Sequence, residues 1–177
     1  MDRDAVIPSC GAKVDDDVIV AVDLDGRVYP GSEINWDTTS DKSPEYVQNQ
    51  IRIMNTIGKK HLVNAAKDIS NPGIVGTLGM LLEASGKGAD IDMELIPKPD
   101  DIDWIKWFMM YPGSAFVLTC ESQNTSSVLE LLNGANITAS CIGKVNDTHK
   151  LMMRYGNEKR CVFDFDNEII MGFSEDR

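Results

Sequence analysis

Short apolar runs of strand length alternate along this chain with segments whose apolar residues recur at helical spacing, and that alternation leaves few folds open. Val18–Val22 (VIVAV) is a continuous apolar run, the pattern of a buried strand. Further strands are predicted at Leu62–Ile69, Ala89–Leu95, Ala115–Cys120 and Ile137–Val145. A closing hairpin follows, His149–Tyr155 and Arg160–Phe165, turning at Gly156-Asn157. Between them lie four helices. The first opens at Ser43-Pro44-Glu45, with Ser as N-cap, Pro at the first helical position and an acid in the first turn. It carries Val47, Ile51, Met54 and Ile57 and closes at Gly58. The second, Ile74–Ala84, carries Leu78, Leu81 and Leu82 and ends at Gly86 and Gly88. The third spans Asp100–Tyr111 and is rich in aromatics (Trp104, Trp107, Phe108), which at helical spacing belong to a core or an interface. The fourth is Ser122–Leu132, with Val128, Leu131 and Leu132 inward. The order β-α-β-α-β-α-β-α-β-β-β predicts an α/β (α+β) fold, a mixed β-sheet with packed helices and a partly ferredoxin-like topology.

A chain of 177 residues is the length of one domain and needs no disulfide or metal staple. The domain is expected over 17–173, behind a loose leader over 1–16, and Asp15-Asp16-Asp17 at their junction reads as a solvated charge run before a strand. The net charge of −11 argues against nucleic-acid backbones and anionic membranes as partners. No apolar run is long enough to span a bilayer, and the amino-terminal residues lack the apolar segment of a signal peptide, so the expected location is cytoplasmic. Cys10, Cys120, Cys141 and Cys161 form no C-x-x-C pair, and three fall inside strands, where a thiol behaves as a small hydrophobe. His61 and His149 are far apart and read as surface or packing residues. Asp23, Asp25 and Gly26 read as a turn after the first strand.

One junction carries chemistry. Lys67-Asp68-Ile69-Ser70-Asn71-Pro72-Gly73-Ile74-Val75-Gly76 is a strand end, a polar turn and a helix start in one stretch. A helix amino terminus presents unpaired N–H groups and the positive end of its dipole, which suits phosphate oxygens. Asp68 can hold a hard cation such as Mg²⁺, Ser70 can donate to a phosphate oxygen, and Gly73 and Gly76 remove side chains that would block a ligand. The same residues equally suit a cluster that merely caps the helix and turns the chain, and spacing alone leaves both readings open.

The stretch Asp68-x-Ser70-x-x-Gly73-Ile74-x-Gly76-x-Leu78 resembles a motif of the aminoimidazole-ribonucleotide (AIR) synthetase-related superfamily, which includes AIR synthetase, selenophosphate synthetase, thiamine-monophosphate kinase and a hydrogenase-maturation dehydratase. Glu83-Ala84-Ser85-Gly86-x-Gly88-Ala89-x-Ile91-Asp92, Pro97, Gly113–Leu118, Leu131-Leu132-Asn133 and Ile142–Val145 are similar to later passages of the same family. The resemblance spans about residues 17–172 and implies a carboxy-terminal domain. Within the family, DISNPGIVGTLGMLLEASGKGA is similar to an archaeal, methanogen-like branch used as a methanogenesis marker. The resemblance implies ATP and Mg²⁺ as cofactors and a small-molecule substrate. It also implies pairing into a homodimer and a separate amino-terminal ATP-binding domain, absent from this chain, that binds most of the nucleotide. It places Asp68 at a metal-binding position and Ser70 at that of a nucleotide-contacting hydroxyl, and Asn71, Gly73 and Gly76 of the same junction are expected to bind the cofactor with Ser70. Asn71 stands where the kinase branch has a second Asp, and Pro72 replaces a Gly or aromatic. The expectation is one wall of the cleft of a phosphoryl-transfer or synthetase enzyme, inactive alone; the alternative is a non-catalytic binding or assembly module that keeps the fold.

Overall fold

Every residue of strand β1 (Asp17–Val22) is buried, as its unbroken apolar run requires. In the computed structural model, which describes residues 5–172, β1 lies inside a seven-stranded sheet. The other six strands are β4 (Ala65–Asp68), β5 (Gly88–Asp92), β7 (Ala115–Cys120), β8 (Thr138–Asn146), β9 (Lys150–Tyr155) and β10 (Glu158–Asp164). Their order is β10-β9-β5-β8-β1-β7-β4. Its pairs are antiparallel except β5 with β9, so the sheet is mixed. These are the seven strands expected, although β4 is trimmed to four residues and β5 ends early in a 3-10 turn at Met93–Leu95.

Alternate residues of β1 feed two cores. Val18, Val20 and Val22 face one that includes Ile74, Leu78 and Leu81 of helix α2 (Gly73–Ser85) and Trp107 of helix α3 (Trp104–Met109). Ile19 and Ala21 face another, with Ile57 of helix α1 (Pro44–Lys59) and Val128 and Leu132 of helix α4 (Ser122–Gly134). Helix α1 starts as its sequence demands: Ser43 Oγ accepts from Tyr46 N at 3.2 Å, with Pro44 first in the helix. Its inward face differs from expectation, since Gln50 is buried while Ile51 is exposed. Gly86 ends α2 in the left-handed conformation at φ 61°. Helix α3 is shorter than the predicted Asp100–Tyr111 because Asp103, not Asp100, caps it, accepting from Lys106 N at 2.9 Å.

A second sheet of order β2-β3-β6 was not expected. It joins β2 (Arg27–Val28), β3 (Asn35–Asp37) and β6 (Tyr111–Pro112), with Trp36 opposite Val28 and Pro112. The leader is not loose over its described part. Pro8 O accepts from Ala66 N at 2.9 Å, and Ser85 Oγ accepts from Gly11 N at 3.1 Å and Ala12 N at 3.2 Å. Residues 1–4 of the expected leader, and residue 173 of the expected domain, lie outside the described residues.

Candidate functional site

Strand β4 is the edge of the large sheet, pairing with β7 so that Asp68 lies opposite Phe116. Ile69 N donates to Ala115 O at 3.0 Å, which keeps the chain in register for one residue beyond the strand. Ile69 itself is buried in the first core, so Asp68 and Ser70 on either side of it turn outward. Asp68 and Asn71 are exposed and Ser70 is half-buried. A tight turn follows, in which Gly73 N donates to Ser70 O at 2.8 Å and Gly73 takes φ +68°. Pro72 sits at the N-cap of α2, and no side chain caps the helix. The first-turn N–H groups of a thirteen-residue helix therefore meet the polar turn without a carboxylate or hydroxyl of their own. Inside the turn, Ser70 N donates to the fully buried Thr77 Oγ1 at 3.4 Å.

The five residues singled out by sequence thus fall in two groups. Asp68, Ser70 and Asn71 reach the surface together, whereas Gly73 and Gly76 are buried. A Cβ on Gly73 would stand 2.0 Å from Phe108 O, and one on Gly76 would stand 2.6 Å from Pro72 Cβ. The close approach these glycines permit is to the protein's own chain. Gly79 is similar, with Ile170 Cδ1 at 2.9 Å and Phe163 at 3.0 Å from the same construction. Among the described residues no three His, Cys, Asp or Glu side chains converge on a point that would hold a metal.

Three other carboxylates have structural work that sequence reading missed. The Asp15–Asp17 run is not solvated throughout: Asp16 and Asp17 are buried. Asp16 accepts from Asn64 Nδ2 at 2.9 Å and Lys13 N at 3.0 Å. Asp17 accepts from Thr125 Oγ1 at 2.6 Å, Lys144 Nζ at 2.7 Å and Ser122 Oγ at 3.1 Å. Asp23, read as part of a turn, is buried and ties β1 to α1 by accepting from Gln50 Nε2 at 2.7 Å. Its turn role holds too, since Asp25 N donates to Asp23 Oδ1 at 2.9 Å. Both histidines are exposed, and His149 Nδ1 lies 3.0 Å from Asp166 Oδ1. Cys120 is buried and Cys161 exposed, so the thiol-as-hydrophobe reading fits the first and fails at the second, on the outer strand β10. Among the described residues no helix is long and apolar enough to cross a membrane.

A family model described as "AIR synthase related protein, C-terminal domain" matches residues 14–156. An uncharacterized protein of Methanocaldococcus jannaschii is 43% identical over 170 residues, covering 96% of this chain and 52% of its own length. The thiamine-monophosphate kinase of Buchnera aphidicola is 27% identical over 121 residues, covering 63% of this chain and 37% of its own. Among solved structures, T. maritima PurL complexed with ATP superposes with a TM-score of 0.73 at 13% identity, covering 93% of this chain and 27% of that one. The sheet and its helices are thus those of an AIR synthase-like domain. The chain belongs to the AIR synthase related family, as its C-terminal domain. It spans about half the length of the first curated relatives it matches, 52% and 53%.

Proposed function

We propose that this domain forms one wall of the cleft of an ATP- and Mg²⁺-dependent enzyme that activates or phosphorylates a small molecule, and that it is inactive alone. The observation that carries this reading is the surface grouping of Asp68, Ser70 and Asn71 at the uncapped amino terminus of α2. Such a terminus favours phosphate, with Ser70 and Asn71 as side-chain donors. Gly73 contributes by its positive φ, which sets the turn. A magnesium ion fits a single carboxylate such as Asp68 when substrate phosphates and a facing domain complete its shell, because Mg²⁺ is commonly bound through one or two carboxylates plus phosphate. That ion would neutralise phosphate charge; the domain's own residues position the phosphates.

Family membership supports the reading, as do the kinase activity named for one relative and the ATP complex of another. The companion wall would be an amino-terminal ATP-binding domain, and the assembled protein a cytoplasmic homodimer. Isothermal titration with Mg·ATP tests the split site. The chain alone is expected to give no measurable heat of binding, and the chain joined to an amino-terminal half is expected to bind. Tight binding by this chain alone would contradict the proposal. In the joined protein Asp68→Ala is expected to lower turnover roughly 100-fold, with a raised Mg²⁺ requirement.

A second reading, a non-catalytic assembly module, draws on the packing roles of Gly73 and Gly76 and on the lack of converging metal ligands among the described residues. Unchanged turnover and Mg²⁺ dependence in Asp68→Ala would select it.

A further inference from the structure

Helix α3 has two faces of opposite character. Trp107 is fully buried, its Nε1 donating to Pro97 O at 2.9 Å and its ring edge-on to Trp36 with centroids 5.7 Å apart. Ile105 and Met109, one helical turn apart and therefore on one face, are 75% and 54% exposed. The β2–β3 hairpin abuts the end of α3, where Ile34 O accepts from Tyr111 N at 2.9 Å, and it adds Tyr29 and Ile34, 45% and 42% exposed. Single exposed apolar residues need no explanation, but four on adjoining segments form a patch that water solvates poorly. The half of the large sheet left uncovered by α1 and α4 is different. Its charges are already paired, Asp17 with Lys144, Asp90 with Lys159 and Asp92 with Arg154.

The α3 patch borders the candidate site. Gly73 starts α2 against the carbonyls of Phe108 and Met110, so the end of α3 that carries Met109 adjoins the start of α2. The margin of the patch is acidic: Asp100, Asp101 and Asp103, all exposed, lead into the helix. We infer that this patch is the seat of the companion domain, and that the companion's matching surface is apolar with a Lys/Arg margin. The inference rests on the function proposed above. The M. jannaschii relative matches 96% of this chain, and the match fills only 52% of that relative, which therefore carries about as much chain again. A domain that closes a cleft over Asp68–Gly76 must rest on the surface next to it, and α3 supplies an apolar one there.

The test uses this chain and, as a separate polypeptide, the half of the M. jannaschii relative that it does not match. Sedimentation velocity and calorimetry read their association. Ile105→Lys and Met109→Lys are each expected to weaken it at least about tenfold. Ile51→Lys, on the exposed face of α1, is expected to leave it within about twofold. Thermal unfolding checks that all three variants fold, as exposed positions allow. Association is also expected to weaken as salt is raised, because the margin is charged. No association of the unaltered chain at about 100 μM, or equal weakening by Ile51→Lys, overturns the inference. A complex that forms through Ile105 and Met109 but ignores Mg·ATP upholds the docking surface and rejects the ATP-dependent reading.

Discussion

Asp17 opens the central strand while only 8% exposed, and a Lys, a Ser and a Thr donate to its carboxylate. Burial pushes its pKa up, but hydrogen bonds from Lys144, Thr125 and Ser122 outweigh burial and hold the carboxyl below the usual aspartate range. A folded-state pKa below the unfolded one adds stability above the unfolded value, and that stability is lost as pH falls through the folded value. Asp17→Asn keeps the shape and removes the charge, leaving Lys144 without its anion; a loss of about 1–3 kcal/mol at pH 7 is expected. In urea titrations the gap between wild type and variant should persist at pH 5 and narrow progressively as pH falls below the ordinary aspartate range. A gap that stays constant down to pH 2 would remove the charge from the explanation. Asp37 adds to the same acid lability: amide donation from Thr39 and Ser40 lowers its pKa to about 2. Near Asp17, burial pushes the Cys120 thiol up to about 11, so it stays protonated and unreactive at neutral pH. A thiol reagent at pH 7.5 is expected to modify Cys10 and Cys161 quickly and Cys120 only after unfolding.

At the scale of elements, α2 is fixed at both ends by contacts that reach across the chain. At its start, Gly73 combines φ +68° with the Phe108 carbonyl where a Cβ would go, so Gly73→Ala must move either α2 or α3. A cost of about 2–4 kcal/mol in chemical unfolding is expected. Near its end, the Glu83 carboxylate accepts from Ile170 N at 2.9 Å and Met171 N at 2.7 Å, and Ile170 covers Gly79. Glu83→Ala should release that strap, seen as at least about tenfold faster hydrogen exchange at Ile170 and Met171, with β1 unaffected. These contacts mark where sequence reading stops. Ser43-Pro44-Glu45 and Gly86 announce helix ends because capping is local, and VIVAV announces a buried strand because period and composition suffice. Strands β2, β3 and β6 have two or three residues each, too few for a period to show, and form only because distant segments pair. Asp16 and Asp17 looked like surface charge and Asp23 like a turn residue because their partners lie 48, 108 and 27 residues away. The candidate site was legible as a place, since strand end, polar turn and helix start are local. What Gly73 and Gly76 are for was not, because the reason for Gly73 is a carbonyl on another helix.

The whole molecule is two cores on the two faces of one sheet, with strand β1 feeding both as β7 also does, and that arrangement decides how it comes apart. Trp36 and Trp107 lie in the first core with α2, while the second, between the sheet and the α1–α4 pair, holds no tryptophan. Neither core can be lost without exposing β1, whose alternate residues belong to each. If the shared strand couples them, tryptophan fluorescence reports the first core directly and the second through it. Fluorescence and far-UV circular dichroism should then give urea midpoints agreeing within about 0.2 M. The sharper form uses Leu132→Ala, a cavity in the tryptophan-free core at a fully buried position. It is expected to cost about 2–5 kcal/mol and to move the fluorescence midpoint as far as the circular-dichroism midpoint. A circular-dichroism transition that moves while fluorescence stays put would mean that α1 and α4 melt as a separate layer. Asp23, bonded to Gln50 of α1 from the end of β1, would then have failed as the bolt between the layers.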